Sequence, residues 1–175
     1  MNAELLDAVR MNRAVDVHRL LMNGADANVH NINLETALMY AAGNGNVNIM
    51  IMLLNKGARL EDEDSSGSTA LLWAAVGLSA DALQLLIERG ANVNAQDVDG
   101  FSAIDWIIAR GGLDLFHDVP GLHAIQELIL GGASFNNVSK RHLLIIYSRS
   151  GEDVRQIIDD SGRELWIEPE MEDFF

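Results

Sequence analysis

The chain has 175 residues, 49% of them hydrophobic, which supports one domain with its own core and excludes wholesale disorder. Twenty-six acids against 12 bases give a net charge of −14, which opposes binding to nucleic-acid phosphates and to anionic membranes. The absence of cysteine excludes disulfides and thiolate metal sites.

The first predicted unit, about residues 1–30, begins in mid-pattern at Ala3. Its Leu20-Leu21 and Gly24-Ala25 return as Leu53-Leu54 and Gly57-Ala58, then as Leu86-Ile87 and Gly90-Ala91, each time 33 residues later. A period of this length predicts a stacked array whose units bury their apolar faces only against one another. Arg10, Arg13, Asp16 and Arg19 give the first unit the polar outer face of a terminal cap.

The second unit, 31–63, contains Thr36-Ala37-Leu38 and Ala41-Ala42. Its Gly43-Asn44-Gly45 resembles a phosphate loop only superficially, because in register it is the turn between two helices. The third unit, 64–96, is the clearest. Asp64 to Gly67 reads as a turn, Thr69 as the cap of a helix Ala70 to Val76, and Gly77 as its end. A second helix is predicted from Ala80 to Glu88, with Gly90 in the left-handed position beyond it.

The fourth unit, 97–138, opens with the turn Asp97-Val98-Asp99-Gly100. Gly90 to Gly132 is 42 residues, nine more than the period, so an inserted loop is expected near 111–121. Asp118 and Pro120 there read as the restart of the second helix. Residues 139–175 read as a degenerate capping repeat, with helices over Lys140 to Tyr147 and Asp153 to Ile158, and an acidic tail from Glu164. The tail also carries Leu165, Trp166, Ile167, Phe174 and Phe175, so it either docks on the last repeat or extends as a solvated arm.

These residues, above all Gly67, Thr69, Leu71, Ala74, Ala75, Leu86, Gly90, Ala91 and Asn94, make the chain resemble the ankyrin-repeat family over roughly 3–138. The resemblance implies an all-α solenoid of stacked helix-turn-helix units with β-hairpin-like fingers. The family's Thr-Pro-Leu-His motif is altered to Thr36-Ala37-Leu38-Met39, Thr69-Ala70-Leu71-Leu72 and Ser102-Ala103-Ile104-Asp105. The polar link its histidine makes between repeats is therefore absent or replaced.

No catalytic or metal motif is present. His18, His30, His117, His123 and His142 are scattered, and none forms a pair at ligand spacing. Asp97, Asp99 and Asp105 read as turn and cap residues, and Ile108 occupies the place where a calcium loop needs its bidentate glutamate. No cofactor, metal or enzymatic activity is expected.

Two features point to binding instead. Tyr40, Trp73 and Trp106 share one repeat position, either as core packing or as exposed anchors, and Phe101 lies close by in sequence. Glu61, Asp62, Glu63 and Asp64 lie together on a finger, with Asp99 on the next, as a solvated tip or as a steering charge. The expected function is a non-catalytic protein-binding module, an acidic inhibitor or immunity-type protein for a partner basic at the contact. An adaptor or secreted effector acting on host proteins is the alternative. Residues 1–20 lack a secretory apolar segment, and runs such as Ile49 to Leu54 are too short to span a bilayer, so the protein is expected to be soluble and cytoplasmic.

Overall fold

A computed structural model describes residues 1–111, 119–135, 138, 146 and 151–160 of the chain. Short apolar stretches of alanine, leucine and isoleucine wind into inner helices α1 (Asn2–Arg10), α3 (Ala37–Gly43), α5 (Ala70–Val76) and α7 (Ala103–Gly111). Each is followed by an antiparallel outer helix: α2 (Ala14–Met22), α4 (Val47–Asn55), α6 (Ala80–Glu88) and α8 (Val119–Leu130). Inner helices stack on inner helices and outer on outer, and α9 (Glu152–Asp160) continues the stack against α8. The result is an all-α repeat solenoid of two helical layers.

The core lies between those layers. Ala8, Ala41, Ala42, Ala74 and Ala75 are buried on the inner helices, where a small side chain lets neighbouring backbones approach. Leu5, Leu38, Leu71 and Ile104 repeat one buried position, and Leu20, Leu53, Leu86 and Ile129 fill the outer layer. Burial of such side chains stabilises by about 1.5–3 kcal/mol each.

Every outer helix from α2 to α8 ends alike. Gly24, Gly57, Gly90 and Gly132 have φ of 86°, 85°, 88° and 88°. In the last turn of α6, Gly90 N–H donates to Ile87 O at 2.9 Å and Ala91 N–H to Leu86 O at 3.0 Å, closing a Schellman motif. A Cβ on Gly90 would meet no atom within 4 Å, so its conformation alone requires glycine. Gly90→Val is therefore expected to cost more than about 1 kcal/mol, measured as a lowered urea midpoint; an unchanged midpoint would remove that role.

The inner helices end near the glycines expected from the sequence, but the left-handed residue is not always a glycine. Asn12, Gly45 and Leu78 take the left-handed position, at φ of 53°, 68° and 54°. Gly77 ends α5 as expected, with an ordinary φ of −74°. Its lack of a side chain serves close packing instead, since a Cβ there would lie 2.2 Å from the Gly43 carbonyl oxygen.

At the histidine position the contacts seen lie within one repeat rather than between repeats. Met39 Sδ accepts from Thr36 N–H at 3.2 Å, while Thr36 Oγ1 accepts from Met39 N–H at the same distance. Asp105 does the same job more strongly, taking the Ser102 N–H at 2.9 Å and the Ser102 hydroxyl at 2.6 Å. Thr69 stands at the N-cap position but makes no side-chain cap bond, and its Oγ1 is buried without a partner among the described residues. The expected Thr69 side-chain cap is thus not formed.

One strut recurs between successive repeats. Asn28 Oδ1 accepts from Arg59 N–H at 2.8 Å, and Glu61 Oε1 from Asn92 N–H at 3.0 Å, both 31 residues apart. Asn94 Oδ1 accepts from Ser134 N–H at 2.7 Å, 40 residues apart. The nine added residues thus leave the strut intact. The expected loop core, with Phe116 and Asp118, lies outside the described residues, as do most of the last helical pair and the tail from Glu164.

Candidate protein-binding surface

Each finger is a tight turn closed by one side chain. Asp64 Oδ1 accepts from Ser66 N–H at 2.8 Å and Ser68 N–H at 3.0 Å. Asp97 Oδ1 accepts from Asp99 N–H at 3.0 Å and Phe101 N–H at 2.9 Å. Asn31 Oδ1 does likewise for Asn33 and Glu35, at 2.9 and 3.1 Å. Isolated antiparallel bridges, His30 with Thr36 and Gln96 with Ser102, flank two of these turns. The turn reading of Asp97 and the cap reading of Asp105 hold.

The second polar atom of each turn residue reaches down to the aromatic column. Asp64 Oδ2 accepts from Trp73 Nε1–H at 2.9 Å, and Asp97 Oδ2 from Trp106 Nε1–H at 2.8 Å. Asn31 Nδ2–H instead donates to the Tyr40 hydroxyl at 3.2 Å and to Glu35 Oε2 at 2.6 Å. The chemistry matches in every case. An indole N–H can only donate and faces a carboxylate, whereas a phenol oxygen can accept and faces an amide. The aromatics are half-buried tethers that fix each finger to its inner helix. Tyr40 meets Trp73 edge-on at 5.3 Å, Arg10 lies over Tyr40 at 5.3 Å, and Phe101 leans on Trp106 at 5.4 Å.

The four adjacent acids are not one solvated tip. Glu61 is an inter-repeat strut, Asp62 pairs with Arg59 at 2.8 Å, and Asp64 closes its turn. Glu63 is exposed, and Asp99 is exposed on the next finger. Replacing all four acids would therefore remove a strut, an ion pair and a turn closure together with the charge.

The Tyr40 hydroxyl, with help from Asn31, holds the Glu35 carboxyl below its ordinary value, outweighing the opposing effect of burial. A depressed carboxylate pKa gives stability that is present above the unfolded value of 4.5 and is lost as pH falls through the folded one. Glu35→Gln is expected to abolish that part of the acid dependence in urea midpoints taken from pH 7 down to pH 3; an identical profile would exclude it.

Sequence reading missed Ile32 and Leu34. Aligning 31–35 with 64–68 and 97–101 would have found them, since it sets Leu34 against Gly67 and Gly100. Among the described residues there is no cluster of three or more potential metal-ligating His, Cys, Asp or Glu side chains, and no helix long and apolar enough to cross a membrane.

Stacked helical pairs with fingers define a repeat scaffold for macromolecular contact. The family model for ankyrin repeats matches residues 5–97 in three copies, and the chain belongs to the ankyrin-repeat family. Ankyrin repeats are protein–protein interaction modules, typically without catalysis of their own. No match was found among curated proteins.

Proposed function

We propose that this protein is an acidic inhibitor of the immunity type, which docks its fingers and concave inner-helix face on a partner that is basic at the contact. The observation that supports this reading is charge: a net −14, with Glu63 and Asp99 exposed on neighbouring fingers. At physiological salt such charge acts over about 8 Å, so it steers association at close approach. Phe101, leaning on Trp106, supplies an apolar anchor that acts on dissociation.

The test is capture from native lysate at low and high salt, followed by kinetics with the protein recovered. That protein should be basic and released by salt. Glu63→Gln with Asp99→Asn should slow association and flatten its salt dependence, while Phe101→Ala should speed dissociation. An acidic partner, or an association rate insensitive to both salt and these substitutions, overturns the reading.

A further inference from the structure

We propose that the tip of the first finger, Ile32 to Leu34, is an apolar plug that enters a pocket of a partner protein lined by aliphatic side chains and rimmed by Lys and Arg. It rests on the reading above, and adds the contact that would hold the complex together. Leu34, Gly67 and Gly100 occupy the same turn position, at φ of 62°, 73° and 81°. The turn is closed alike in each, with Leu34 N–H donating to Asn31 O at 3.0 Å, Gly67 N–H to Asp64 O at 2.9 Å, and Gly100 N–H to Asp97 O at 2.9 Å. Glycine meets this backbone without strain, and a leucine does not. The turn therefore gains nothing from leucine, and the strain is retained for something outside the turn.

Exposure says where. Ile32 is 99% exposed and Leu34 47%; the second finger has Ser65 and Gly67 at these positions and the third has Val98, 75% exposed, and Gly100, so only the first finger carries two apolar side chains there. The tip is also rigid. Ser65 N–H donates to Asn33 O at 2.9 Å, and Asn31 is tethered to Tyr40 and Glu35. A rigid apolar protrusion binds without the cost of ordering it. Charge selects the occupant. Glu63 and Asp99 are exposed on the following fingers and the chain carries −14, so a second copy would bring acid against acid. A cationic rim around an apolar pocket satisfies both features.

The experiment uses the full chain in two arms. In urea, Leu34→Asn should hold or raise the midpoint, because asparagine tolerates a left-handed backbone; a fall means that leucine serves the fold, and overturns the proposal. In native lysate, a benzophenone amino acid is placed at position 32 or 63 and cross-linked residues are mapped by mass spectrometry. The expected result is that position 32 joins a different protein at an aliphatic pocket, and that Ile32→Ser with Leu34→Asn speeds dissociation of that protein at least about tenfold. Cross-links from 63 but not 32 overturn the plug and leave the acidic contact standing. A cross-link from 32 to a second copy of this chain, or to an open charged segment, overturns the plug as well. No cross-link from either position overturns both readings.

Discussion

Asp64→Asn will destabilise the array by about 2–3 kcal/mol, despite being nearly isosteric. The Oδ1 of residue 64 must face two turn amides, Ser66 and Ser68, so the new NH2 group is forced towards Trp73 Nε1–H, where the carboxylate now accepts at 2.9 Å. Two donors then confront each other in a half-buried site, and a charge-assisted hydrogen bond is lost. Asp97→Asn should behave alike against Trp106, at 2.8 Å. The first finger shows the remedy, since Asn31 is satisfied there by Tyr40. Trp73→Tyr should therefore be less harmful when combined with Asp64→Asn than when made alone. A double-mutant cycle in urea should give a favourable coupling of at least about 1 kcal/mol. Additive losses would show that the carboxylate and the indole do not depend on each other.

Gly77→Ala should be at least as damaging, at about 3 kcal/mol. The new Cβ would lie 2.2 Å from the Gly43 carbonyl oxygen and 3.0 Å from its carbon. Both are backbone atoms, so no rotamer change relieves the clash, and α3 and α5 must separate. Gly43→Ala is the control, because its Cβ would meet the Trp73 ring at 3.1 Å, where a side chain can yield. It should cost about 1 kcal/mol. Since repeats touch only their neighbours, opening the α3–α5 contact should also divide the array. Hydrogen exchange should then report lower protection on both sides of that junction. Equal urea midpoints for the two alanine variants would refute the close-approach role of Gly77.

Much of this architecture is legible in the residues. The helices predicted at Ala70 to Val76 and Ala80 to Glu88 form with those bounds, because alanine and leucine periodicity coincides with glycine punctuation there. The positive φ of Gly57 and Gly90 follows from the same columns. What escapes periodicity is any link between columns. Repetition sets Asp64 beside Asp97 and Trp73 beside Trp106, but not Asp64 beside Trp73. Periodicity likewise sets Thr69 at an N-cap but does not reveal that its hydroxyl is buried with no partner among the described residues. The four acids look uniform in sequence. Their separate duties depend on the amide, guanidinium and indole that folding brings to three of them.

The pairing of turn residue with aromatic also bears on how such arrays are recombined. A gene segment joined between residues 64 and 73 that carried in the first finger's turn would put an asparagine over a tryptophan, donor against donor, and the hybrid finger would be held poorly. A junction at the glycine that ends an outer helix transfers the turn and its aromatic together. Repeats of this protein are therefore exchangeable as cassettes from Ala58 to Gly90, and fragile as pieces of them.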